Sequence, residues 1–281
     1  MLGYRRSPQL EVETLMTKSL VQRQFGAHAA AYATSVVHAK GASLNRLVEL
    51  VKPDRHWHAL DIATGAGHTA AAFAPHVARA IASDITDEML DEARKLALAK
   101  GLTNMEAVSA DAEALPFQDG QFDLVTCRIA PHHFPDIPTF VSEVQRVLKP
   151  GGTFALVDNI APDTESTPGF SNSELRDASL TYNAFEKIRD PSHSRCLGLA
   201  EWSEVLTDTG FEVVHKERLG KDMEFQPWAE RLGADAATIE RLSAMLTEAA
   251  PALKAFLKPR LEGDSLWFTL DEAIVIARKP S

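Results

Sequence analysis

The chain has 281 residues, 45% hydrophobic and 24% charged, proportions that suit a soluble globular protein with a sizeable core. A formal net charge of -10 speaks against a general nucleic-acid or anionic-membrane binder. Two cysteines, Cys127 and Cys196, cannot build a disulfide framework. Residues 1–16 lack the continuous apolar run of a secretory signal, and no stretch reaches membrane-spanning length, so a cytoplasmic protein without membrane insertion is expected.

Residues 17–50 carry apolar positions at helical spacing, with Gly41 as the break between two helices. From residue 58 the rhythm changes. "HALDIA" (58–63) reads as a short apolar strand, 68–78 as an alanine-rich helix and "AIASDI" (80–85) as a second strand. The helix predicted over 86–101 has Thr86 to cap it, acids in its first turn and Lys100-Gly101 at its end. Strands follow at 105–111 and 122–130, then a helix at 139–152 stopped by Pro-Gly-Gly, and a fifth strand at 153–160. Strands alternating with helices predict right-handed crossovers and a doubly wound parallel sheet. Residues 161–196 break the alternation with a polar, then helical, then irregular stretch. The pattern resumes with a helix at 199–210, a strand at 211–219, a helical stretch at about 226–258 and a last strand at 265–279. The fold expected is α/β: a doubly wound, seven-stranded Rossmann-like sheet, mostly parallel with an antiparallel last strand.

"LDIATGAGHTA" (60–70) poses the functional question, because Gly65, Gly67 and Ala70 fit G-x-G-x-x-A, a form of the dinucleotide fingerprint. Ligands of open α/β sheets sit at the carboxyl ends of the strands, and here those ends present Asp61, Asp84 and Asp111. A carboxylate at Asp84 can accept hydrogen bonds from ribose hydroxyls of either ligand class. Asp61 discriminates better: at the mouth of the loop it would repel a pyrophosphate and favour a ligand carrying an ammonium and a sulfonium. The three acids favour S-adenosylmethionine over NAD.

Four ordered pieces then carry a resemblance: "LDIATGAGHTA", "SDITDEML", "ADAEALPFQDGQFDLVTCRIAPHHF" and "RVLKPGGTFALVD". The run from about 58 to 160 resembles the class I S-adenosylmethionine-dependent methyltransferases of the ubiquinone/menaquinone C-methyltransferase type (methyltransferase domain 11). "CRIAPHHF", "RDPSH" and "LAEW" together resemble a bacterial small-molecule subgroup. The resemblance implies that Gly65 and Gly67 lie under the methionine part of the cofactor while Asp61 orients its ammonium. It implies that Asp84 binds the ribose hydroxyls, that Ile85 and Met89 pack on the adenine, and that Asp111 and Ala112 meet the adenine edge. Arg128 would face the site, and Tyr32, with His38, would close over the cofactor. The chain departs from many relatives in having Ala63-Thr64 where they have glycine or cysteine.

The organisation that follows is an N-terminal helical lid (1–50), an S-adenosylmethionine-binding core (51–160) and a substrate cap (161–197). The rest of the sheet (198–281) would carry a helical insertion at about 226–258. His132 and His133 follow the fourth strand, where an acceptor would lie, and either could act as general base, with His133 the first choice. Arg189 could help hold an anionic substrate, whereas Phe170, Tyr182, Phe185, Trp202 and Trp228 suggest a hydrophobic, partly aromatic one. A metal site at His132, His133, Asp136 and His193 is not expected, because adjacent histidines lack the i, i+4 ligand geometry of a helix. Cys127 reads as a small core side chain. The function expected is methyl transfer from S-adenosylmethionine to O, C or N of a small-molecule acceptor. The alternatives are an NAD(P)-dependent oxidoreductase, which no Tyr-x-x-x-Lys pair after the fourth strand supports, or an S-adenosylmethionine-binding protein of other function. The oligomeric state is not legible.

Overall fold

The computed structural model describes residues 16–26 and 41–281. Among them, strands β1 (His58–Ile62), β2 (Arg79–Asp84), β3 (Met105–Ser109), β4 (Phe122–Arg128), β5 (Leu148–Asn159), β6 (Glu212–Glu224), β7 (Arg260–Glu262) and β8 (Ser265–Arg278) form one sheet. Its order is β3-β2-β1-β4-β5-β8-β6, with β7 paired to β8 alone. Pairings from β3 through β5 are parallel, and β8 runs antiparallel to both β5 and β6.

The parallel strands are short apolar runs because both faces of the sheet are covered. On one face lie α2 (Ala42–Val51), α3 (His68–Phe73) and α4 (Asp87–Lys100), whose Leu47, Phe73 and Ala93 pack with Leu124 and Ile274 of the sheet. On the other face α5 (Ile137–Val147), α6 (Asn172–Arg189) and α7 (Leu199–Asp208) contribute Phe140, Val144, Phe185 and Trp202 to the larger cluster around Val125 and Phe154. β6 is the opposite kind of strand. It lies at the sheet edge and alternates exposed charged residues such as Glu212, Lys216 and Arg218, which discourages edge-to-edge pairing.

Two expectations change. The helical stretch at 226–258 is three helices, α8 (Phe225–Glu230), α9 (Ala236–Thr247) and α10 (Pro251–Leu257). Gly233 at φ +82° ends the first part, Asp235 caps α9 by accepting the Thr238 amide at 2.8 Å, and Pro251 opens α10. The sheet also gains an eighth strand. β7 and β8 form a hairpin across Gly263-Asp264, Glu262 facing Ser265, and three residues are too few to show a strand period in sequence. α1 (residues 16–26) is the described part of the N-terminal region expected to be helical. Among the described residues no helix is long and apolar enough to cross a membrane.

Strand order reverses between β1 and β4, so the crevice at their carboxyl ends is the topological switch point. The turn into α3 is fixed there by close packing. Gly67 sits at φ +86°, and a Cβ on it would lie 2.9 Å from both Ala93 Cβ of α4 and Met105 Cε of β3. Gly67→Ala therefore combines left-handed strain with overpacking and is expected to cost about 2–4 kcal/mol of stability. Urea unfolding checks this, and a loss below about 1 kcal/mol would show that α4 can move away.

Candidate functional site

β1 delivers the chain into the crevice through a strained loop, Ala63 at φ +50° and Gly65 at φ +54°. Asp61 holds that loop. Thr64 donates its hydroxyl to Asp61 Oδ2 at 2.5 Å, and the Ala70 amide donates to the same oxygen at 3.2 Å. Thr126 of β4 donates to Oδ1 at 2.7 Å. The parallel register sets Asp61 beside Thr126, so the two side chains share a sheet face. Asp61 is only 3% exposed, and burial pushes its pKa up to about 6, against the Thr126 and Thr64 hydroxyls and the Arg128 charge. Asp61 thus lies beneath the loop, with its carboxylate bonded to Thr64, Ala70 and Thr126.

Asp84 ends β2 and ties the same loop from the other side. It accepts the Gly65 amide at 2.8 Å on Oδ2 and the Thr86 amide at 2.9 Å on Oδ1. Burial raises its pKa, and these amide bonds oppose the rise. The Thr86 hydroxyl and the Ile85 amide also bond this carboxylate. Asp84 lines a cleft of about 770 Å³ together with Gly65, Ile85, Met89, Arg128 and His133. Arg128 donates from Nε to Thr69 Oγ1 at 3.0 Å within it. Asp111 and Ala112 line a smaller adjoining lobe of about 420 Å³ that shares Ile85 with the cleft. Gly67, at the start of α3, packs closely against α4 and β3.

α1 roofs both spaces, and of its residues there Lys18, Val21 and Gln22 were not singled out from the sequence. Lys18 Nζ pairs with Asp111 at 2.6 Å and Glu113 at 2.9 Å, and Gln22 donates to the Ile85 carbonyl at 2.9 Å. Val21 and Phe25 face the cleft. Lys18, Val21-Gln22 and Phe25 recur at three-to-four-residue spacing, which places them on one side of the helix. Tyr32 and His38 lie outside the described residues.

The two histidines differ. His132 Nδ1 stands 2.6 Å from Asp158 Oδ1, at the carboxyl end of β5. Burial disfavours its charged form, but the charge and hydrogen bond of Asp158, helped by Glu186 and Asp190, outweigh burial and raise its pKa. His133 has Nδ1 3.1 Å from the Ser192 carbonyl, and its ring meets Phe25 edge-on at 5.0 Å. Burial, and then the neighbouring His132 charge, hold His133 well below the usual imidazole range. His133 is thus a buried imidazole held neutral beside a second basic ring.

A further cavity of about 790 Å³ opens on the other side of these rings. It contains His132, His133 and His193 with Glu186, Arg189, Asp190 and Lys221, and shares Phe25, Ile129 and His133 with the first cleft. Ile129 is a β-branched residue at φ +55°, held there by its amide bond to the Val157 carbonyl at 2.7 Å. Of the cap aromatics, Tyr182, Phe185 and Trp202 are core, and Trp228 alone of the five reaches this cavity. Cys127 is fully buried in the sheet. Among the described residues no group of three or more His, Cys, Asp or Glu side chains is arranged to hold a metal ion.

A family profile described as a methyltransferase domain matches residues 60–156. The chain is 35% identical over 212 residues to the uncharacterized methyltransferase YcgJ of Bacillus subtilis, covering 75% of this chain and 79% of the relative. The crystal structure of the YcgJ protein from Bacillus subtilis superposes with a TM-score of 0.75 at 32% identity, covering 85% of this chain and 98% of that one. The ubiquinone/menaquinone biosynthesis C-methyltransferase UbiE of Brucella canis is 40% identical, but over 106 residues, 36% of this chain and 39% of the relative. The ubiquinone/menaquinone resemblance thus covers 36% of this chain.

The buried Asp61 makes a prediction about the ligand-free protein. Its folded pKa of about 6 exceeds the ordinary 3.8. Between those values the folded state holds more protons than the unfolded chain, so stability falls as pH rises from about 4 to about 6, by on the order of 3 kcal/mol. Asp61→Asn should remove that slope, as read from urea unfolding of both proteins across this range. Parallel pH profiles would mean that Asp61 titrates normally.

Proposed function

The chain belongs to the class I S-adenosylmethionine-dependent methyltransferases, and from that premise we propose how its residues divide the work. The enzyme transfers a methyl group from S-adenosylmethionine to a small molecule; the division of its surface into cofactor cleft and acceptor cavity is our reading.

The cleft fits the cofactor on two observations. A Cβ at Gly65 would meet nothing within 4 Å, so the loop presents open space rather than packed atoms. The walls also carry complementary charge, Asp84 on one strand end and Arg128 on another. We assign Asp84 to the ribose hydroxyls, Ile85 and Met89 to the adenine faces, and the Asp111-Ala112 lobe to the adenine edge. Because Lys18 and the Glu113 amide occupy the Asp111 carboxylate, that contact falls to the backbone of the segment. Arg128 pairs with the methionyl carboxylate, and the Ala63–Gly65 loop lies under the methionyl chain. Asp61 acts through the shape and charge of the loop. Residues 1–50 serve as lid and 161–197 as part of the cap.

When bound, S-adenosylmethionine supplies an electrophilic methyl on a sulfonium. The protein's task is alignment, and exclusion of water by α1 and the Phe25–His133 wall. The cavity that shares this wall is the acceptor site. The observation that carries the reading is the His132–Asp158 pair: with Nδ1–H donating to Asp158, the lone pair of His132 lies on Nε2, ready to take the proton of a hydroxyl or carbon acid as it is methylated. His133, kept neutral, shapes the junction. This reverses the order of the two histidines expected from sequence.

Asp84→Ala is expected to weaken S-adenosylmethionine binding by about 1–3 kcal/mol, measured by isothermal titration. Unchanged affinity in a folded variant would remove the ribose assignment. His132→Ala should lower kcat about 10²–10⁴-fold with cofactor affinity kept. A base works deprotonated, so the wild-type rate should climb with pH through the raised pKa of His132. Asp158→Asn, by removing the charge that raises it, should move that limb to lower pH. A limb that stays in place would dissociate the pair from the chemistry.

A further inference from the structure

The acceptor cavity also carries information about the chemistry of its occupant. Arg189, in the last turn of α6, is held in place by the protein itself. Its guanidinium carbon stands 4.3 Å from the Trp228 ring centroid, and Nε donates to the Trp228 carbonyl at 3.0 Å. Trp228 is fixed in turn, stacked on Phe185 at 5.0 Å and 11° and edge-on to Phe268 at 4.9 Å. The ion pair of Arg189 with Glu186 is long, 3.8 Å at Nη1, outside hydrogen-bond distance.

The charges around it leave this guanidinium its donors. Lys221 pairs with the fully buried Glu272 beneath it, and Asp190 is engaged by the Ser192 amide at 2.9 Å and hydroxyl at 2.6 Å. On the wall itself Arg189, Lys221 and Arg231 stand against Glu186 and Asp190. A planar guanidinium whose plane is set by stacking, with its Nη pair outside hydrogen-bond distance of that acid, matches a bidentate carboxylate.

Resting on the assignment of this cavity to the acceptor, we propose that the acceptor is a small carboxylic acid, its carboxylate docked on Arg189 and its nucleophilic hydroxyl turned toward His132. The hydrophobic acceptor suggested by the cap aromatics gives way in this reading, since Trp228, the one of those five that reaches the cavity, serves to hold Arg189.

The test titrates 4-hydroxybenzoate and 3-hydroxybutyrate, each against its amide, into protein saturated with S-adenosylhomocysteine. The acids should bind at least about 10-fold more tightly than the amides. Arg189→Gln should abolish that preference, and Arg189→Lys should retain part of it, with S-adenosylmethionine affinity unchanged in both variants as proof of folding. The proposal is overturned if amides bind as well as acids, if Arg189→Gln keeps the preference, or if neither class binds. Failure of S-adenosylmethionine to bind the wild-type protein would instead overturn the cofactor reading beneath it.

Discussion

The hydrogen bonds of one buried carboxylate hold the crevice in shape. Asp61 ties the loop to its own strand through Thr64, to α3 through Ala70 and to β4 through Thr126. A charge in this position is costly unless it is hydrogen-bonded, and three donors reach it. Asp84 repeats the device one strand away by holding the Gly65 amide. The loop is thus clamped from two neighbouring strands, which allows Ala63 to keep a left-handed conformation that an alanine would otherwise avoid.

From that clamp the rest of the site can be followed outward. β4 runs beside β1 and ends at Arg128, and the next residues carry the histidines. β5 runs beside β4 and brings Asp158 under His132. The return of residues 189–193 supplies Asp190 and Ser192, which hold His133 from the other side. Adjacent spaces in one wall, rather than a single pocket, suit a reaction in which two molecules must meet end to end.

Much of this was legible in the chain and some was not, for identifiable reasons. The strands from 58 to 160 are apolar runs bounded by turn residues, and their acidic ends follow from the parallel architecture, so Asp84 could be placed from sequence. The hydrogen bond between Asp61 and Thr126 could not, because it depends on a residue 65 positions away being set beside it by register. Asp158 was visible at the end of "TFALVD", but its partnership with His132 is a tertiary fact. Tyr182, Phe185 and Trp202 are core, as large rings signal burial more strongly than they signal a ligand. Gly233, Asp235 and Pro251 did mark the breaks in the 226–258 stretch, and a purely periodic reading outweighed them.

Ile129 deserves a different kind of consideration from the residues that carry charge. A β-branched side chain at positive φ is a poor local choice, about 1–3 kcal/mol worse than glycine or asparagine would be. It stands in the wall common to the two spaces. Selection for stability alone would replace it, and replacement by a smaller residue would open a passage between cofactor and acceptor. Ile129 thus sets local backbone strain against the shape of the wall that the two spaces share. In directed evolution, position 129 is where gains in thermal tolerance should come paired with leakage of water to the cofactor.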